Sequence, residues 1–102
     1  MENEVDIGGL SSFFEGELVR VEVGQTTCAL VRTAGAELSV FEDSCPHLGM
    51  PIADGHVEEN YIVCPWHGYE YNLQTGRHPG NKNVRLKPYK VKVDSGDVYV
   101  VV

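Results

Sequence analysis

A chain of 102 residues predicts a single domain spanning 1–102, and a hydrophobic content of 42% is that of an ordinary folded protein. Fifteen acidic and eight basic residues give a formal charge of −7, which disfavours nucleic acid as a partner and suits a protein partner with a basic patch. The sequence shows neither an apolar run long enough to span a membrane nor a secretory signal, so we expect a cytoplasmic protein without a membrane partner.

The predicted elements are almost entirely β-strands. The one helix signal is GGLSSFFEGE (8–17), where Ser11 or Ser12 can cap a single turn and the glycines limit its length. The turn sequences TAGA, QTG and DSG separate later segments, and DSG is the strongest hairpin signal. Short strands at this spacing predict an all-β sandwich or small barrel. The predicted strands are 18–23, 27–32, 37–41, 56–64, 69–73, 89–93 and 97–102.

The three cysteines fall into two kinds of surroundings. An odd number of cysteines without an export signal disfavours a disulfide framework. Cys28 lies in the β-like run QTTCALVR, so we expect it to be a small buried core residue. Cys45 and Cys64 instead lie in turns, each beside a histidine. A thiol this close to an imidazole indicates a functional site.

Two short segments resemble each other, CPHLGM (45–50) and CPWHGY (64–69). Each begins with Cys-Pro, contains one histidine, and has a glycine after it or one place further on. The prolines fix φ just after each cysteine, and the glycines permit backbone shapes that other residues resist. One cysteine and one histidine from each loop can surround a metal, and the candidate ligands are Cys45, His47, Cys64 and His67.

The order of the ligands discriminates between metals. Two thiolates and two imidazoles can bind zinc tetrahedrally, but zinc sites usually pair Cys with Cys and His with His. Here each loop contributes one of each, which is the pattern of a Rieske [2Fe–2S] centre, where two histidines replace two cysteines on one iron. A zinc-stabilised interaction module stays open as an alternative of another class.

The segments CPHLGMPIADG and CPWHGYEYNLQTG resemble the two cluster-binding boxes of the Rieske family, C-x-H-x-G and C-x-x-H-G. The resemblance implies a Rieske-type fold of antiparallel sheets, with two cluster-binding loops at one tip. It also implies one [2Fe–2S] cluster per chain, with Cys45 and Cys64 on the inner iron and His47 and His67 on the outer iron. Gly55 falls where that family has a glycine.

The sequence departs from the high-potential branch of that family. Met50 and Trp66 stand where bc-type Rieske proteins carry a disulfide, and Tyr69 stands where they carry a serine. The resemblance therefore implies the soluble branch, whose ferredoxins serve ring-hydroxylating oxygenases. We expect a one-electron carrier rather than an enzyme, taking electrons from a reductase to a terminal oxygenase or similar redox protein. The alternative within the family is the small subunit of a nitrite reductase.

Other residues near the boxes receive simpler interpretations. His56 and His78 are expected at the surface, and Tyr71 is expected in the core. Trp66, between two candidate ligands, is predicted to shield the cluster. The segment RHPGNKN (77–83) is predicted to be a loop.

Overall fold

The computed structural model describes residues 3–34, 37–46, 49–66 and 68–102. Their regular secondary structure consists of β-strands and two short 3₁₀ turns, which confirms the predicted all-β class. Short 3₁₀ turns occur at Leu10–Ser12 and Ile52–Asp54. In this described part of the chain, no helix is long and apolar enough to cross a membrane. The strands are β1 (Glu4–Gly9), β2 (Leu18–Val23), β3 (Thr26–Ala34), β4 (Glu37–Glu42), β5 (His56–Glu58), β6 (Tyr61–Val63), β7 (Glu70–Asn72), β8 (Arg77–His78), β9 (Asn81–Arg85), β10 (Pro88–Asp94) and β11 (Asp97–Val101).

Six strands form one antiparallel sheet in the order β1-β11-β10-β4-β3-β2. Strand β3 is buried on both faces. Its side chains alternate between the two faces of the sheet, and each face packs into a different apolar cluster. Ala29 and Val31 pack into one apolar cluster, whereas Cys28 and Leu30 pack into another. Cys28 therefore occupies the buried core position predicted for it.

Two smaller sheets, the three-stranded β5-β6-β7 and the hairpin β8-β9, complete the fold. Ile62 and Tyr71 from the small sheet meet Phe41 from β4 in a fully buried cluster. Cys45 and Cys64 belong to this same cluster. The half of the core beneath the small sheets is therefore the half that supports the predicted ligand loops.

The N-terminal segment differs from the predicted helical turn. Leu10–Ser12 forms a 3₁₀ turn, and its N-cap residue Gly9 makes no side-chain capping hydrogen bond. The residues before it form strand β1, which pairs with β11. Val5 and Ile7 alternate with acidic residues and pack against the second apolar cluster. The alternation of apolar and acidic residues that is typical of a strand was thus present in the sequence. It was too short to predict a strand, because it ends at two glycines.

Two further differences concern segments that reverse direction. The predicted strand over 56–64 is two strands, β5 and β6, because Glu59 adopts a φ of 55° in a turn between them. The predicted loop over 77–83 is instead part of the β8-β9 hairpin. The DSG hairpin is confirmed, since Ser95 and Gly96 both have positive φ (53° and 84°), as a type I′ turn requires.

Candidate metal centre

The repeat seen in the sequence is also a repeat in the backbone. In each loop the cysteine N–H donates a hydrogen bond to the carbonyl five residues on, from Cys45 to Met50 and from Cys64 to Tyr69, both at 2.7 Å. The glycine at the fifth position has a φ of 72° in the first loop and 69° in the second. A left-handed glycine therefore closes each loop in the same way.

The two predicted cysteine ligands come together at the base of these loops. Cys45 and Cys64 are free thiols, buried to 0% and 1% exposure, in one apolar cluster. Burial raises the pKa of the Cys64 thiol to about 11, opposed by a hydrogen bond from the Trp66 backbone and reinforced by Cys45. Two adjacent buried thiols with a backbone donor fit the thiolate side of an iron–sulfur site.

The two predicted histidine ligands, His47 and His67, lie outside the described residues, so their role stays a prediction. Among the described positions, no three His, Cys, Asp or Glu side chains are grouped as metal ligands. The thiols face the core, whereas Pro46, Pro65 and Trp66 on the loops are exposed. Trp66 is 40% exposed, and its predicted shielding of a cluster stays a prediction.

The hydroxyl of Tyr71 contacts the first cysteine, a contact that sequence reasoning missed. Tyr71 is fully buried, and its hydroxyl lies 3.1 Å from Cys45 Sγ. Burial first, and then the hydrogen bond with Cys45, raises the pKa of this phenol far above its usual range. The phenol therefore keeps its proton and can donate it to a thiolate. The sequence did contain one signal for this contact. Tyr71 was expected in the core, and a buried tyrosine hydroxyl needs a hydrogen-bond partner.

His78 supports the second loop from behind, so its expected surface position is confirmed only in part. Its ring is half-buried and packs edge-on against Tyr69 at 4.9 Å and Tyr71 at 6.1 Å between ring centroids. Its Nδ1 accepts a hydrogen bond from the Gly80 N–H at 2.9 Å. His56 is exposed as predicted, 3.3 Å from Glu58.

The second loop is the tip of a hairpin, because β6 and β7 pair directly beneath it. Among the residues that the structure describes, no such ladder lies below the first loop, and a buried carboxylate holds its ends instead. Asp43, whose side chain is 2% exposed, accepts a hydrogen bond from the Ala53 N–H at 2.7 Å. Its other oxygen accepts from Arg20 Nε at 2.7 Å, and Arg20 also reaches Asp54 at 2.5 Å. One arginine on β2 thus fixes both ends of the first loop.

Gly55 brings the segment after the first loop against the strand that leads to Cys64. A Cβ at this position would lie 2.0 Å from the carbonyl oxygen of Val63, a backbone atom that cannot move aside. Only glycine permits this approach, which explains in physical terms why a glycine stands at 55. The distance between the two loops therefore depends on the absence of a side chain at position 55.

Comparison with known proteins agrees with this geometry. The family described as "Rieske [2Fe-2S] domain" matches residues 3–95. The chain is 26% identical over 97 residues to the ferredoxin component of the alkene monooxygenase system of Xanthobacter autotrophicus, covering 94% of this chain and 79% of that protein.

Solved structures give the same result. A chain in the complex of reduced oxygenase and oxidized ferredoxin in carbazole 1,9a-dioxygenase has a TM-score of 0.81 and 29% identity, with 95% of this chain and 91% of that chain covered. A Mycobacterium tuberculosis protein assigned as an NADH-dependent nitrite reductase small subunit has a TM-score of 0.87, with 100% of this chain and 96% of that chain covered. Its identity of 16% makes it evidence for the fold alone.

Proposed function

Because the chain belongs to the Rieske [2Fe–2S] domain family, we propose that one cluster is held between the loops 45–50 and 64–69. In this proposal Cys45 and Cys64 bind the inner iron as thiolates, and His47 and His67 bind the outer iron. Two free, buried thiols at the base of two matching loops carry the proposal. A Rieske cluster supplies one-electron redox chemistry at a higher potential than a plant-type ferredoxin.

The chain is an electron-transfer protein rather than a catalyst, as the ferredoxin components it matches are. The match to the ferredoxin component covers 94% of this chain and 79% of that protein. We propose that 1–102 forms one Rieske domain, that it works in the cytoplasm, and that it takes electrons from a reductase to a terminal oxygenase. The similarity to a chain of an oxygenase–ferredoxin complex supports this choice of partner.

A second candidate is the small subunit of a nitrite-reductase-like complex. The fold that this chain shares with such a subunit, at a TM-score of 0.87 over its full length, accommodates this candidate without selecting it. The two candidates differ in stable association. A carrier purifies from its native cells as a separate small protein, whereas a subunit copurifies with a much larger flavin or haem protein.

The decisive experiment for the cluster is iron and acid-labile sulfide analysis of the purified protein, together with its absorption and electron paramagnetic resonance spectra. We expect a red-brown protein with the iron and sulfide content of one [2Fe–2S] cluster, which dithionite reduces by one electron. A colourless protein that contains stoichiometric zinc after growth with ample iron would contradict the proposal and favour the zinc module.

A further inference from the structure

The net charge of the chain conceals a strong segregation of charge. Residues 71–93 contain six of the eight basic residues and not one acidic residue. The rest of the chain contains two basic and fifteen acidic residues, a formal charge of −13. The positive charge of the chain is therefore concentrated in the 71–93 segment, although the molecule as a whole is negatively charged.

This basic segment includes the hairpin that lies beside the second loop. On the inner face of β8-β9, His78 packs against Tyr69 and Tyr71, and Val84 packs against the cluster of residues around Cys45. Side chains alternate along β9, so Arg85, the neighbour of Val84, lies on the outer face. Its direct cross-strand partner Arg77 lies on the same face, because paired residues project to the same side of a ladder. Both arginines are exposed.

Arg77 and Arg85 are also direct cross-strand partners. Like charges that face each other across a ladder destabilise a hairpin. Within the described residues no ion pair joins either guanidinium to a carboxylate, whereas Arg20 binds two carboxylates and Lys92 lies 3.4 Å from Glu4. The fold thus neutralises Arg20 and Lys92 but leaves this arginine pair uncompensated beside the candidate metal centre.

We propose that the arginine pair, Arg77 and Arg85, is a docking contact for carboxylates on an acidic surface of the redox partner. The inference rests on the proposed carrier function and adds the chemistry of the partner's surface. Guanidinium groups bind carboxylates through paired hydrogen bonds, so two neighbouring arginines fix orientation as well as attraction. The contact would bring the loops 45–50 and 64–69 toward the partner. It predicts an acidic partner surface at this point, whereas the net charge of −7 alone favours a basic partner.

The test uses the cluster-loaded protein and two small oxidants of opposite charge, ferricyanide and tris(phenanthroline)cobalt(III). Each accepts one electron from the reduced protein, giving ferrocyanide or the cobalt(II) complex, and stopped-flow absorption follows the rate at low ionic strength. The variant Arg77→Gln/Arg85→Gln is compared with Lys90→Gln/Lys92→Gln, because both remove two positive charges. We expect the arginine variant to react about fivefold or more slowly with ferricyanide and faster with the cobalt complex.

The lysine variant should change both rates less than about twofold, and salt should remove the difference between the two variants. Equal slowing by the two variants would show that only net charge matters and would overturn the docking proposal while leaving the carrier function intact. A protein that exchanges electrons with neither oxidant would overturn both. Unchanged cluster absorption and an unchanged thermal midpoint show that each variant is folded, and Arg77→Lys/Arg85→Lys, which keeps the charge, should retain most of the ferricyanide rate.

Discussion

The Tyr71 hydroxyl lies 3.1 Å from Cys45 Sγ, in the buried cluster beneath the two loops. A donor to a ligating thiolate stabilises the reduced, more negative state of an iron–sulfur centre. We therefore expect Tyr71→Phe to lower the reduction potential by on the order of 40 mV, the equivalent of a hydrogen bond of about 1 kcal/mol. Protein-film voltammetry measures the shift. Tyr99→Phe on β11, a hydroxyl outside this cluster, is the matched control and should leave the potential unchanged.

The three cysteines should separate cleanly by role. Cys45→Ser and Cys64→Ser each remove a thiolate at the base of a loop, so we expect both variants to lose the cluster. Cys28→Ser changes a buried thiol in the other apolar cluster and should retain it. Iron content and visible absorption per chain give the result. Full iron content in either loop variant would mean that the corresponding thiol is not a ligand.

The buried carboxylate of Asp43 should matter more than the exposed carboxylate of Asp54, although both bind Arg20. Asp43→Ala leaves the Ala53 N–H without its partner and frees the ends of the first loop, so we expect a loss of about 1–3 kcal/mol in unfolding free energy and faster loss of the cluster. Asp54→Ala removes a half-exposed ion pair and should cost about 0.5 kcal/mol or less. The measurements are thermal unfolding and the rate of bleaching by a chelator. Equal effects of the two substitutions would argue against the clamp.

What the sequence could predict was local. The two loops, their cysteines and the DSG turn could be identified because their signals lie within a few neighbouring residues. The Tyr71–Cys45 contact and the Arg20–Asp43 clamp could not, since their members are 26 and 23 positions apart and meet only when the sheets pack. The hairpin around His78 was missed for a related reason. Its strands are short and polar, and their stability comes from packing against the tyrosines of the second loop.

Gly55→Ala should disturb the spacing between the loops. The added methyl group would lie 2.0 Å from the Val63 carbonyl oxygen, so the backbone must move and we expect a loss of about 2 kcal/mol or more. Gly9→Ala is the control, because a Cβ there meets nothing closer than 3.8 Å and its φ is −79°. Thermal unfolding compares the two variants. The proposed cause also requires an altered cluster spectrum in Gly55→Ala and an unaltered one in Gly9→Ala.

The last prediction concerns alkaline pH and the thiol of Cys28, which no part of the proposed metal centre uses. Burial, followed by the nearby Glu42, Asp43 and Glu22, raises the pKa of this thiol to about 11, from an ordinary value of 9.0. The folded protein therefore holds this proton more tightly than the unfolded chain does. The resulting stability is fully present below pH 9 and is lost as the pH rises through about 11.

We expect Cys28→Ala to be less stable than the wild type at pH 7, because it leaves a small cavity, and to lose less stability between pH 9 and 11. Two pKa units correspond to about 2–3 kcal/mol, so the gap in thermal midpoint should narrow by several degrees over this interval. Other groups also titrate in this range, but they are common to both proteins and cancel in the difference. The measurement is the thermal midpoint of cluster-loaded wild type and variant at one heating rate from pH 7 to 11. A gap that stays constant with pH would show that the Cys28 thiol ionises equally in the folded and unfolded states.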